Sequence, residues 1–382
     1  TVEITTYRSE SYDQASRKPD VEFGKSIEAD LARRDFTINA MALELTTDEP
    51  AFIDLFNGVL DLQKKIIKTP GKAEDSFSDD PLRMMRAARF MSQLNFEVDE
   101  SVLVAIKNMA ARLEIISAER IRDEFIKIMM SSSPRLGITL LVETGLSDYF
   151  LPEVPKLKLE IDEHHHHKDV YEHSLTVLEQ AIALEDRLSG ANLTLRLAAL
   201  LHDIGKPKTK QLIAGGGVSF HHHEVVGARM CKERMKKLRF DNHIINDVSQ
   251  LVFLHLRFHG YGSGEWTDSA VRRYVRDAGE LLTHLHLLTR ADCTTRNKKK
   301  AEGLARTYDQ LEERIELLMQ QEELNKIRPD LSGEQIMEIL GIKPSPAVGK
   351  AYDFLLELRL EHGPLGEEKA KQALLTWWKE QK

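Results

Sequence analysis

The sequence predicts a mainly α-helical protein of several domains. At 382 residues the chain is longer than one hydrophobic core usually serves, so roughly two to four compact units are expected. From Ile27 onward apolar residues recur three and four apart, the spacing that gathers them on one face of a helix. Strand signals nearly vanish after the first few residues and return only around 209–220.

Taken in order, residues 2–8 alternate with the period of a half-buried strand, and the polar, Ser-rich twenty that follow read as loop. Helices are predicted over 81–96, 101–113, 118–130, 135–144, 170–188 and 193–202. Pro81 suits a first helical position with Asp80 as its cap. Residues 209–220 form two short runs joined by glycines, which suggests a hairpin. The glycines are no phosphate cradle, because no Gly-Lys-Ser/Thr follows. A proline-marked linker, 151–155, precedes the run His164 to His167, read as a polar loop. Beyond Arg296 to Lys300 come a charged helix, 301–325, and a tail of two helical stretches against which Trp377 and Trp378 are expected to pack.

Composition narrows the function. Lys and Arg number 53 against 61 Asp and Glu, a net charge of -8, so any nucleic-acid site must be a local patch. Candidates are Arg229, Lys232, Arg234, Lys236, Lys237 and Arg239, then Arg272, Arg273 and Arg276, then 296–300; each also reads as a solvated helix face. No run of 18 apolar residues suggests a membrane span. The two cysteines, Cys231 and Cys293, exclude a disulfide framework or a cysteine zinc ribbon and suit a reducing cytosol.

Two constellations carry chemistry. The first joins Arg33-Arg34-Asp35-Phe36-Thr37-Ile38-Asn39 to Asp79-Asp80-Pro81-Leu82-Arg83, with Arg86 and Arg89 continuing a row of cations. The row alone is compatible with a solvated face and Asp80 with a simple cap. A carboxylate beside a guanidinium, however, offers acceptor and donor together, matching the exocyclic amine and ring nitrogen of cytosine or adenine; uracil and guanine present a carbonyl instead. These segments, with Thr5-Thr6-Tyr7-Arg8, Asp54/Gly58/Asp61 and 117–124, resemble in order the motifs of class II tRNA nucleotidyltransferases, the bacterial CCA-adding enzymes and their poly(A) polymerase relatives. The resemblance implies that Asp80 and Arg83 are the template for incoming CTP or ATP. It also implies that Asn39, Arg86 and Arg89 lie near the ribose and phosphates, with Arg34 also binding nucleotide. The family usually has Glu where Asp79 stands. Its reaction is in-line attack of the tRNA 3′-hydroxyl on an NTP α-phosphate, with Mg²⁺ held by an Asp-x-Asp pair. That pair belongs upstream of Thr5, where only Thr1 to Ile4 stand, so the chain as it stands is expected to be inactive as a polymerase; Glu3 reads either as a solvated strand-edge residue or as an extra carboxylate next to that site.

The second constellation is His173, then His202-Asp203 at the end of an apolar helix, then Asp292. Adjacent polar groups there are costly to bury unless a metal or hydrogen bonds satisfy them. The order resembles the HD phosphohydrolase superfamily, and Gly205-Lys206-Pro207 strengthens the match. The resemblance implies that His173, His202, Asp203 and Asp292 bind a divalent transition metal or Mg²⁺, whose acidified water attacks a phosphate ester. Lys206 and His223 are further candidates, and His223-Glu224, His255 and His259 could extend the site to a second ion. Which of His221, His222 and His223 turns inward is open.

The expected fold is therefore the remnant of an α/β nucleotidyltransferase head (1–45), a helical neck and body with the base template (46–155), an all-α HD domain (156–300) and a helical tail (301–382). The expected function is CCA addition to tRNA 3′ ends from CTP and ATP in the cytoplasm, with no membrane partner. Rivals are poly(A) addition, an HD phosphohydrolase alone, or a tRNA- or nucleotide-binding protein with a decayed head.

Overall fold

The computed structural model describes residues 8–11, 20–23, 26–45, 49–158, 169–212, 218–260, 267–294, 298–322 and 327–381. Residues 2–7 of the expected strand, the run His164 to His167, the hairpin glycines 215–217 and Arg296 lie outside them, as do the side chains of His259, Lys298 and Lys300. The chain forms two compact units, Thr1–Val252 and Phe253–Lys382.

The first unit is built on the helices Leu82–Leu94, Glu100–Met109, Ala118–Met129, Pro134–Glu143, Val170–Ala183 and Leu193–Leu201. Their starts follow from local chemistry. Asp99, Ser117, Asp169 and Asn192 each accept a backbone N–H of the first turn, and Pro134 opens its helix where its missing N–H costs nothing. Leu82–Leu94 ends on Asn95 in the left-handed conformation (φ 55°). On that helix Met84, Met85, Ala87 and Ala88 are buried, leaving Arg83, Arg86 and Arg89 half-buried along the other side. Gly137 lets Pro134–Glu143 close onto it: a Cβ there would lie 2.2 Å from Ser92 Oγ and 2.8 Å from the Ala88 carbonyl.

The helical expectations hold with shifted ends. The 101–113 and 170–188 helices finish as 3₁₀ turns, Ala110–Ile115 and Glu185–Leu188. The hairpin is present as Gln211–Leu212 paired antiparallel with Val218–Ser219. Three two-stranded pairings correct the strand reading: Arg8–Ser11 with Asp20–Phe23, Ala42–Glu44 with Ala51–Ile53, and the parallel Ile66–Ile67 with Glu97–Val98. Strands this short show no alternation, and the parallel pair joins segments that only helix packing brings together.

The second unit contains Asp268–Ala278, Leu282–Asp292, Lys298–Glu322, Gly333–Leu340, Pro346–His362 and Glu367–Glu380. The last three enclose a core of Leu331, Ile336, Ala351, Leu355, Ala370 and Leu374. Phe354 stacks on Trp377 at 5.0 Å, the packing role expected of the tail tryptophan. Ser332 and Gln335 make a capping box, and Gly341 (φ 65°) ends that helix. Among the described residues no helix is long and apolar enough to cross a membrane.

Candidate functional site

The first candidate site is a cavity of about 630 Å³ in the first unit, lined by Arg33, Arg34, Asp35, Asn39, Asp80, Arg83, Arg86, Arg89 and Phe90. All six residues expected at the nucleotide site, Asp80, Arg83, Asn39, Arg34, Arg86 and Arg89, therefore face one space. Five arginines against two aspartates make it a place for a polyanion. The aspartate–arginine pair is held rigidly. Asp80 Oδ1 accepts the Leu82 N–H at 3.1 Å, and Oδ2 accepts from Arg120 Nη2 at 2.8 Å. Each oxygen keeps a lone pair for a base. Arg83 donates from Nη1 to Ser76 Oγ (2.9 Å) and from Nη2 to the Arg33 carbonyl (2.6 Å), which leaves its Nε–H for a ligand. Burial draws the Arg83 guanidinium below the usual arginine value, opposed by Asp80, Asp79 and Asp35.

Neighbouring groups position the rest. Asp35, 7% exposed, accepts from Asn39 Nδ2 (3.1 Å) and from Arg86 Nε (2.8 Å), so one carboxylate orients two cavity residues. Arg89 Nε lies 3.1 Å from Glu124 Oε2, and its guanidinium carbon sits 4.3 Å over the Phe90 ring. The 54–61 motif has a structural job. Asp54 caps Gly58 and Val59, and Asp61 accepts from Thr37 Oγ1 at 2.7 Å, fixing the Thr37–Asn39 turn. Gly58 is required there, since a Cβ would stand 2.3 Å from the Thr37 carbonyl.

The second candidate site lies in the same unit. His173 comes from Val170–Ala183, His202 follows the last residue of Leu193–Leu201, Lys206 begins Lys206–Thr209 and His223 begins His223–Lys237. They converge on Asp203: His202 Nε2 and His223 Nε2 are 3.2 Å from its oxygens, Lys206 Nζ is 2.9 Å away and His173 Nε2 3.7 Å. All five are at most 5% exposed. Burial alone would raise the Asp203 carboxyl, but the His202 and Lys206 cations and hydrogen bonds from His202 and His223 hold it well below the usual range. His202 Nδ1 lies 2.9 Å from the Ala199 carbonyl and His223 Nδ1 2.8 Å from that of Phe220. A carbonyl can only accept, so both Nδ1 atoms carry protons, and each Nε2 is the ring nitrogen turned toward Asp203, the one an ion would use. Imidazole nitrogens beside a carboxylate fit a first-row divalent ion. His223 is the inward histidine; His221 and His222 are exposed. Asp292 belongs to the second unit, where it ends Leu282–Asp292 half-buried, and His255 is buried in that unit.

Gly205 sets how closely two segments of this site approach, because a Cβ would stand 2.2 Å from the His223 carbonyl. Gly205→Ala is expected to lower stability by about 1–3 kcal/mol, as overpacking against backbone does. An unchanged urea midpoint would contradict that.

Comparison with known proteins finds likenesses along most of the chain. Residues 1–68 match the poly A polymerase head domain, 95–157 the probable RNA and SrmB-binding site of polymerase A, and 170–297 the HD domain. An A-adding tRNA nucleotidyltransferase of Deinococcus radiodurans is 33% identical over 363 residues, which covers 93% of this chain and 80% of that protein. The chain belongs to the tRNA nucleotidyltransferase family. A second relative, a CCA-adding enzyme of Lactobacillus delbrueckii subsp. bulgaricus, is 48% identical over 147 residues, 38% of this chain and 36% of that protein. The fold is similar to that of the Bacillus stearothermophilus CCA-adding enzyme in complex with CTP (TM-score 0.67, 22% identity, 99% of this chain and 79% of that one).

Three residues of the first candidate site are not singled out by the sequence. Asp35, Arg120 and Glu124 lie inside the quoted motifs, but their partners stand 51, 40 and 35 positions away, a distance no local pattern bridges. The basic patches need correction. Arg272 is buried and donates to the Leu360 and Glu361 carbonyls, Arg273 pairs with Glu357 and Glu361, and Arg234 forks onto Glu153. These arginines are spent on helix ends and carboxylates; Arg229, Lys232, Lys236 and Lys237 remain exposed.

Proposed function

We propose that this family member selects CTP and ATP in the Asp80–Arg83 cavity and serves the addition of C and A to tRNA 3′ ends. The observation that carries this reading is a rigid acceptor–donor pair in the wall of an arginine-lined cavity. Asp80 accepts from the exocyclic amine of cytosine or adenine while Arg83 donates to the ring, and uracil or guanine places an acceptor against the carboxylate. Arg34, Arg86 and Arg89 attract the triphosphate, and Asn39, oriented by Asp35, faces the ribose. Mg²⁺ supplies charge neutralisation at the reacting phosphate in such transfers. The names of the relatives, the CTP complex and a Thermotoga maritima CCA-adding enzyme complexed with tRNA support the substrate classes. The cytoplasm is the matching compartment.

The division proposed is head to residue 45, neck and body 46–155, HD domain 156–300 and tail 301–382, supported by the order of the three family matches. In the HD part, His173, His202, Asp203 and His223 would hold a divalent ion that acidifies a bound water for attack on a phosphate ester, with Lys206 fixing the Asp203 carboxylate.

A narrower reading, addition of A alone, is favoured by one observation: the relative aligned along 93% of the chain is an A-adding enzyme. Calorimetry on the chain is expected to give CTP and ATP at least tenfold tighter than UTP and GTP. Equal affinity for all four would reject base reading. In an incorporation assay, labelled CMP entering tRNA that lacks CCA supports the C-and-A reading; AMP entering only tRNA that already ends in CC supports the narrower one.

A further inference from the structure

We propose that Arg196, in the HD-matching part of the chain, is a positioning residue of the base reader. This rests on the nucleotide-selecting function proposed above. The link between them is the helix Ala118–Met129. Near its start Arg120 holds Asp80 at 2.8 Å. One turn on, Glu124, 3% exposed, faces Arg89 at 3.1 Å and Lys127 at 2.9 Å. The helix thus sets two cavity residues, Asp80 and Arg89, and any turn or slide of it moves both.

Its far end is gripped by Arg196. The guanidinium, 4% exposed, donates from Nη1 to the Met129 carbonyl (2.7 Å) and the Ser131 carbonyl (2.8 Å). Nε and Nη2 fork onto Glu185 at 2.7 and 2.6 Å. Glu185 Oε1 also accepts, at 2.8 Å, the N–H of Asn192, the cap residue of the helix that carries Arg196. A fixed planar fork with four partners allows little play, and a lysine in its place cannot reach them together. The terminal carbonyls of Ala118–Met129 would otherwise lack intrahelical partners, so the grip also complements the negative end of that helix. Arg196 sits six residues before His202, so the segment that delivers the HD histidine also anchors the helix behind the base reader.

The test is calorimetric titration of the chain with CTP and with UTP. Wild type is expected to prefer CTP. Arg196→Lys should cut the CTP-to-UTP preference at least fivefold, mostly through weaker CTP binding, and Glu185→Gln about threefold by loosening the same fork. Arg272→Lys, which disturbs a comparable buried arginine on helix-end carbonyls of the second unit, should lower the melting temperature without changing the preference. If Arg196→Lys does not fold, Glu185→Gln decides alone. A wild type with no preference defeats the base-reading function itself. A wild type that discriminates, an Arg120→Met variant that does not, and an unchanged preference in the Arg196 or Glu185 variant would overturn this role alone.

Discussion

Asp203→Asn is expected to abolish tight divalent-ion binding by the histidine cluster and to destabilise the chain by about 3–5 kcal/mol, the usual cost of stranding a buried charge. The carboxylate is 1% exposed and is the common partner of His202, His223 and the Lys206 ammonium. Removing its charge takes from Lys206, 5% exposed, the carboxylate it pairs with at 2.9 Å. Calorimetric titration with Mn²⁺ reads the first effect and urea denaturation the second. Retained micromolar Mn²⁺ affinity would show that Asp203 is not a ligand of the bound ion. The same carboxylate implies a pH dependence in the metal-free protein. Its folded pKa lies well below the ordinary 3.8. The unfolded chain therefore binds a proton first as pH falls, so the stabilisation is complete above about pH 5 and drains away below pH 4. With chelator present, wild type should lose more stability between pH 5 and pH 3 than Asp203→Asn. Parallel curves would mean that Asp203 is not the group responsible.

Arg83→Ala should lower CTP and ATP affinity by about 10–100-fold while changing UTP affinity less than about threefold, so that the preference collapses. Side-chain hydrogen bonds to a base edge are worth roughly 1–3 kcal/mol of discrimination, and each 1.4 kcal/mol is a factor of ten. Arg83 also ties Ser76 to the Arg33 carbonyl, so its loss loosens the wall of the cavity. Arg83→Lys separates reading from simple attraction. It keeps the positive charge for the triphosphate but cannot satisfy Ser76, Arg33 and a base together. It should therefore hold CTP and UTP nearly alike at low salt. A lysine variant as selective as wild type would reduce Arg83 to a phosphate-attracting charge.

Much of the fold was legible because its signals are local. The helices Leu82–Leu94, Ala118–Met129 and Leu193–Leu201 begin and end within two residues of the periodicity that predicts them, and the caps Ser117 and Asn192 act on their own first turns. The strands were not legible in the same way. Ile66–Ile67 has no alternation to display, and its parallel partner, Glu97–Val98, lies beyond the whole Leu82–Leu94 helix. The basic stretches misled for a related reason. A run such as Arg272-Arg273 looks solvated until the helix Pro346–His362 brings its carbonyls and carboxylates to it.

The candidate sites divide along the same line. The groups that carry the chemistry are already evident along the chain: a carboxylate beside an arginine on a helix start, and histidines with an aspartate at the end of an apolar helix. Residue type and spacing decide what can donate, accept or ligate, and those are properties of the chain before it folds. Packing set the geometry. It chose His223 over its two neighbours, aimed the His202 and His223 Nε2 atoms inward by tying Nδ1 to backbone carbonyls, and gave Asp80 and Arg86 their partners in Arg120 and Asp35. Burial and long-range pairing are set by packing between distant segments, and hydrogen-bond direction follows from which groups that packing leaves within reach.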